Sequence, residues 1–297
     1  MRWLGLACGV VVCGTVAGGA YACDGPASDA SRLAIAGGSI TEIVYFLGEE
    51  RRIVATDTTS NYPPEALDYP SVGYVRNLST EGLLSLAPTL ILGEDDMGPP
   101  AVLAQLAETG VEVVRLPEVH SIDGIVAKIR CVATVLGVGQ RADDAIRREL
   151  GDTIETLSGI AAAAGKRPRV AVVLGLRDGV PLGAGRDTSG HGLIEMAAAD
   201  NVFADFDGWK PLGMEAMVLA DPEYIIVPER GVDDAGGAER LLAHPALALT
   251  AAARRGNLIT MDGMSMLGFG PRTLRAAVEL AGTLHGAADP ERRATSP

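Results

Sequence analysis

The sequence predicts an α/β protein built as two Rossmann-like lobes joined by a single long helix, with a ligand cleft between the lobes. Three observations carry this. Short apolar runs alternate with amphipathic segments, the pattern of buried parallel strands and crossover helices. Gln140–Ala164 is one uninterrupted helical pattern, with apolar residues at helical spacing and charges between them. A long-range pseudo-repeat relates the two halves: Thr80–Leu86, Ala87-Pro88 and Leu90–Leu92 are echoed by Met214–Ala220, Asp221-Pro222 and Tyr224–Val227.

Residues 1–22 read as a secretory signal. Arg2 supplies the positive start, Leu4–Val16 the apolar stretch and Ala20-Tyr21-Ala22 a small-x-small cleavage site. The apolar stretch is too short and too Gly-rich for a membrane span. Cys23 follows the site at once. Lipid attachment there is conceivable but not favoured, because Ala20 and Tyr21 suit that signal poorly. Cys23 and Cys131 are the two cysteines left after cleavage. They make no metal motif, and the sequence leaves open a disulfide between them in an oxidising compartment or a Cys131 that is simply a small buried hydrophobe.

Residues 23–31 form a polar tether, and residues 32–139 the first α/β lobe. Arg32–Ala36 is its first strand. Gly37-Gly38-Ser39 opens a helix over Ile40–Leu47, and Gly48 ends it. A Gly-rich turn into a helix can cradle phosphate, but no G-x-G-x-x-G and no P-loop Lys is present. Arg52–Ala55 is the second strand, and Thr58–Tyr69 a turn-rich loop. From Pro70 the chain reads loop, short helix, buried strand, with Ser79 as helix cap, Ala87-Pro88 as stop and Thr89–Leu92 as the strand. Tyr74 and Arg76 lie two residues apart, so in an extended segment they point the same way. That pair either binds a ligand or is a surface turn with a half-buried Tyr. Gly93–Pro100 is an acidic loop without the ligand spacing of an EF-hand. Ala101–Thr109, Val111–Leu116 and Ser121–Leu136 complete the lobe as helix, strand and helix.

Residues 140–167 are the connecting helix, ended by Gly165-Lys166-Arg167-Pro168. At about 1.5 Å per residue it spans ~35 Å. Its alternative is an ordinary long surface helix within one domain. Residues 168–297 form the second lobe: a strand at Arg169–Leu174, a Gly-rich loop over Gly175–Gly190, a helix at Gly192–Ala199, and then the repeated helix-stop-strand unit. Two such lobes leave a cleft at their strand ends, where ligands bind.

The net charge of −13 and a sequence pI of about 4.8 argue against a nucleic-acid or anionic-membrane partner. No G-x-S-x-G, no H-E-x-x-H and no Cys/His metal spacing occurs, and the histidines at 120, 191, 244 and 285 are scattered. The residues favour a binding protein over an enzyme.

Asp57-Thr58-Thr59-Ser60, Tyr62-Pro63, Gly73-Tyr74-Val75-Arg76 and Leu78-Ser79-Thr80-Glu81-Gly82 follow one another in the first half. Ala184-Gly185-Arg186-Asp187-Thr188, Lys210-Pro211-Leu212 with Glu215-Ala216, and Leu267-Gly268-Phe269-Gly270-Pro271-Arg272 follow in the second. In order and spacing this series resembles the haem-binding proteins of bacterial haem ABC importers, over roughly residues 33 to 285. The resemblance implies a class III periplasmic binding protein: a monomeric carrier of ferric haem that works in the periplasm with an inner-membrane ABC permease. It implies Tyr74 as axial ligand of the haem iron, a role tyrosine fills in other haem proteins, with Arg76 beside it. Tyr62 is the rival ligand, though Tyr62-Pro63 reads as a turn whose ring caps the cleft. Some relatives add a His after the first strand of the second lobe; this chain has Gly175-Leu176-Arg177-Asp178 there. Arg177, Arg186 and Arg272 are then candidates for the haem propionates. His191 is a candidate ligand or a helix-capping residue, and Met264 and Met266 pack on the porphyrin or in the core. Glu81 and Glu215, at matching places in the two lobes, are expected to meet permease arginines; a helix N-terminus also favours Glu. A ferric siderophore or cobalamin on the same scaffold is the alternative cargo, and a secreted α/β enzyme the alternative of another class.

Overall fold

The computed structural model describes residue 23 and residues 25–286. The signal-sequence reading of residues 1–22 lies outside them. The first half carries β1 (Leu33–Ala36), α1 (Gly38–Phe46), β2 (Ile53–Ala55), β3 (Gly73–Tyr74), β4 (Asn77–Leu78), α2 (Thr80–Leu84), β5 (Leu90–Glu94), α3 (Pro100–Ala107), β6 (Glu112–Leu116) and α4 (Ile122–Val135). The long helix α5 spans Gly139–Ala163. The second half carries β7 (Arg169–Arg177), β8 (Val180–Ala184), α6 (Ser189–Met196), β9 (Asp200–Asn201), β10 (Trp209–Pro211), α7 (Met214–Ala220) and β11 (Tyr224–Pro228). It closes with α8 (Glu229–Asp234), α9 (Ala238–Leu242), α10 (Ala251–Arg255), β12 (Leu258–Met261), α11 (Gly263–Leu267) and α12 (Pro271–Gly286).

Each half has its own sheet. The first is parallel, in the order β2-β1-β5-β6. In the second, β9-β7-β11-β12 are parallel in the same relative order, and the β8-β10 pair adds antiparallel to the far end of β7. Both central strands are apolar on both faces, as helices on both sides of a parallel sheet require. In each sheet the strand order reverses next to the first strand, and at such a switch point the strand ends open a crevice.

The pseudo-repeat extends to backbone conformation. Ala87 and Asp221, each just before a Pro, both turn left-handed, with φ of 46° and 35°. That turn stops α2 and α7 and aims the chain into β5 and β11.

The structure corrects the sequence expectation in two places and decides a third that the sequence left open. The Gly-rich segment 175–190 is not all loop, because β7 runs on to Arg177 and folds back as β8. The tether expected over residues 23–31 is fixed to the lobe at its middle: Ala27 N donates to Val135 O at 2.9 Å and Ser28 N to Glu112 Oε2 at 2.8 Å. Cys23 is bonded to Cys131 in α4, so its sulfur is not available for a lipid thioether. Among the described residues no helix is long and apolar enough to cross a membrane.

The C-terminal helix α12 belongs to the second half by sequence but packs on α5 and α1, so the largest apolar core draws residues from both halves, Ile40 and Ile43 together with Leu274, Ala277 and Leu280.

Candidate ligand-binding site

The strand ends of the two sheets face one another across a cavity of about 1240 Å³. That exceeds the ~300–1000 Å³ of most small-molecule sites. From the first half it is lined by the turn of the β3–β4 hairpin, by Glu94 at the end of β5 with Asp95 and Asp96 after it, and by Glu118 and His120 after β6. From the second half come Leu174 and Arg177 of β7, the start of α8, and Asp262–Met264 after β12.

Tyr74 ends β3, and Val75-Arg76 make the two-residue turn into β4, with Tyr74 paired to Asn77. Val75 is buried and anchors the turn. Tyr74 is 42 % exposed on the cleft rim. Arg76 Nη1 donates to the Tyr74 phenol oxygen, and Arg76 Nε donates to Asp96 Oδ2 at 2.7 Å. Burial works against the Arg76 charge, but Asp96 and Tyr74 outweigh it and hold the guanidinium above the usual arginine value. The tight hairpin, rather than a plain extended segment, brings this pair together.

Deeper in the cleft the floor is charged. Lys128 of α4 is 1 % exposed and donates to Glu118 Oε1 at 2.7 Å, to Ser39 Oγ at 3.3 Å and to Gly268 O, across in the other half, at 3.4 Å. Ser39 Oγ in turn donates to Glu94 Oε1 at 3.2 Å. Burial, with Glu118 nearby, pushes the Glu94 carboxyl up to about 7. Glu118 is raised as well, first by burial and against the pull of Lys128. Burial and then the Lys128 charge bring the His120 imidazole down to about 4. The Gly37-Gly38 turn has its N–H groups already taken, Gly37 N by Asp57 Oδ1 at 3.1 Å and Gly38 N by Thr59 Oγ1 at 2.8 Å, which leaves no phosphate cradle there. A β-carbon at Gly38 would stand 2.4 Å from Thr59 O and 2.7 Å from Met264 Cε, so the close approach at this point needs glycine.

Of the residues singled out in the sequence, Tyr74, Arg76, Arg177 and Met264 line this cavity. The others do not. Tyr62 lies on a separate groove with its ring under Arg272, whose Cζ is 4.0 Å from the ring centroid. Arg272 is held by Glu42 at 2.7 Å and Asp262 at 3.1 Å, which removes it from the propionate candidates. Arg186 pairs with Asp207 at 2.8 Å on the surface. Met266 is fully buried in the core, two residues from Met264 on the short helix α11 and facing away from the cleft. His191 lines a side pocket of about 300 Å³ and lies 3.2 Å from Asn201 Nδ2; its backbone N–H donates to the cap residue Thr188 at 3.1 Å. Glu81 and Glu215 stand exposed in the first turns of α2 and α7. Sequence reading missed Glu94, Glu118 and His120 as cleft residues, although each stands at or just past the C-terminal end of a parallel strand, the place where such sheets bind ligands. It also missed Lys128, a lone cation inside the apolar stripe Ile125, Ile129, Val132.

The family model described as periplasmic binding protein matches residues 33–264. The chain belongs to the periplasmic binding protein family. Among solved structures of this family, the periplasmic heme-binding protein RhuT from Roseiflexus sp. RS-1, in apo form, superposes with a TM-score of 0.82. It is 35 % identical, and the match covers 88 % of this chain and 100 % of that one. A periplasmic heme-binding protein from Pseudomonas aeruginosa gives a TM-score of 0.77 at 34 % identity, covering 87 % and 94 %. A vitamin B12-binding protein of Pectobacterium carotovorum subsp. carotovorum is 28 % identical over 249 residues, covering 82 % of this chain and 84 % of its own length. As a periplasmic binding protein the chain has its two lobes and interlobe cleft in the arrangement of class III members.

Proposed function

We propose that this periplasmic binding protein is an exported carrier that captures ferric haem in the interlobe cleft and hands it to an inner-membrane ABC importer. The observation that carries the reading is the Tyr74–Arg76 pair, a phenol under a guanidinium at the mouth of a cavity roomy enough for a macrocycle. The two heme-binding structures in the family support it. Phenolate is a hard anionic donor suited to ferric iron, and tyrosine is an established axial ligand. The Arg76 guanidinium offsets the negative charge that the oxygen carries when it binds the ion.

The cleft lining holds nine carboxylates against three arginines, so a dicarboxylate cargo needs a cation that is not already committed. Arg76 is tied to Asp96, and Arg230 approaches Asp234 at 3.7 Å. Arg177 makes no ion pair among the described residues and is the partner for a propionate. Met264 packs on the ring face. The role is capture and delivery in the periplasm as a monomer, without a chemical step. Glu81 and Glu215 are the contacts to the permease.

One observation favours a second reading. A carboxylate-rich lining suits the amide edge of a corrin, whose N–H groups would donate to it, and B12-binding relatives exist. Titration of the mature protein with haem, wild type beside Tyr74→Phe, separates the two. The haem reading expects a saturable Soret change with a phenolate-to-iron charge-transfer band, and Tyr74→Phe loses that band. No saturable change with haem, and saturable binding of cobalamin instead, would replace it.

A further inference from the structure

Building on the haem reading, we infer that Asp96 is a positioning residue of the cleft: it takes one edge of the Arg76 guanidinium and so aims the other edge at the Tyr74 phenol. Its effect on the cargo passes through Arg76.

The guanidinium is divided between two partners. Nε donates to Asp96 Oδ2 at 2.7 Å, and Nη2 meets the same oxygen. Nη1, on the other side of the fork, donates to the phenol oxygen of Tyr74. A guanidinium is planar and rigid, so fixing one edge fixes the direction of the other. Without the carboxylate Arg76 is a long, half-exposed side chain on a two-residue turn, free to swing to solvent or to a propionate.

The carboxylate is itself held in place. Asp96 stands on the turn after β5, and the backbone of that segment is bonded to the hairpin: Gly98 N donates to Val75 O at 3.0 Å and Leu78 N to Gly98 O at 2.8 Å. Met97 and Val75, both buried, belong to one apolar cluster. On the other side Arg115 of β6 donates to Asp95 O at 3.3 Å. The β3–β4 ribbon has two residues in each strand, too few to hold a geometry alone, and the segment that carries Asp96 supports it.

The three acids of this segment differ in use. Glu94 accepts from Ser39, and the Asp95 carbonyl accepts from Arg115. Among the described residues only Asp96 of the three reaches the Tyr74–Arg76 pair. Both members of the Asp96–Arg76 ion pair are about half exposed, and such a pair adds little to the stability of a fold. What it decides is where Arg76 points.

The test is a haem titration followed by absorbance at one neutral pH, for the wild type, Asp96→Ala, Asp96→Asn, Arg76→Ala and the two Ala substitutions combined. Circular dichroism and a thermal melt confirm that each variant is folded. A hydrogen bond to the phenolate lowers the energy of its lone pairs, so losing it moves the phenolate-to-iron charge-transfer band to longer wavelength. Asp96→Ala is expected to shift the band that way, as Arg76→Ala does, and to weaken haem binding by roughly tenfold. Asp96→Asn keeps an oxygen acceptor for Nε and is expected to stay with the wild type. The combined variant is expected to match Arg76→Ala, because nothing is left for Asp96 to position. A wild-type band and affinity in Asp96→Ala, even with a lowered melting temperature, would overturn the positioning role and leave the haem reading intact. So would a shift in Asp96→Asn as large as that in Asp96→Ala, or a further shift from Asp96→Ala once Arg76 is gone. Absence of any saturable haem spectrum in the wild type would overturn the haem reading, and the positioning role with it.

Discussion

Arg272 in α12 donates from both Nε and Nη2 to one carboxylate oxygen of Glu42 in α1, at 3.0 and 2.7 Å. The pair joins the last helix of the described residues to the first. Glu42 is nearly buried, and burial raises its pKa despite the arginine. Removing one partner of such a pair strands the other charge, at a cost of about 3–5 kcal/mol. Glu42→Ala is therefore expected to lower the melting temperature by roughly 5–15 °C, and Glu42→Ala with Arg272→Met to recover a good part of it. A thermal melt that shows equal losses in the single and double variants would remove the pair from the stability of the fold.

Glu94 sets a pH dependence. Its carboxyl stands at about 7 in the folded chain against an ordinary value of 4.5. Folding thus retains a proton that the unfolded chain releases. The contribution is fully present below pH 4.5 and is lost as pH rises through 7. Glu94→Gln keeps an acceptor for Ser39 but cannot ionise. It is expected to be more stable than the wild type at pH 8, by on the order of 2 kcal/mol, and equal to it at pH 4. Urea melts at the two pH values measure this, and the same wild-type advantage or deficit at both would refute it.

Glu81 and Glu215 predict a separation of binding from transport. Both are exposed, and neither enters an ion pair among the described residues. Replacing both with Ala should leave the haem titration unchanged and abolish haem-dependent uptake through the permease. Uptake at the wild-type rate would end the docking role.

The sequence by itself determined the local architecture, because its signals act over a few residues. Ser79 and Ser121 cap the helices they precede, with Gly82 N and Gly124 N at 3.2 and 3.0 Å. The apolar stripe of α5 is legible from 140 to 164 to within a residue at each end. The matching stops at Ala87-Pro88 and Asp221-Pro222 mark the repeat, and the short spacing of Tyr74 and Arg76 marks a pair that the hairpin then closes. Only the tertiary structure decided which distant groups meet. Arg272 and Arg186 read like Arg177 in the sequence. The first two are taken by carboxylates brought to them from elsewhere in the chain, at positions 42, 262 and 207, while Arg177 faces the cleft. Met264 and Met266 differ only in which side of one helical turn faces the core. Cys23 finds Cys131 across 108 residues, and His120 differs from the other three histidines in having no side-chain hydrogen bond among the described residues. Caps, stops and periodicity are fixed by neighbours along the chain; ion pairs, disulfides and unpaired lone pairs are fixed by neighbours in space, which no short stretch of sequence encodes.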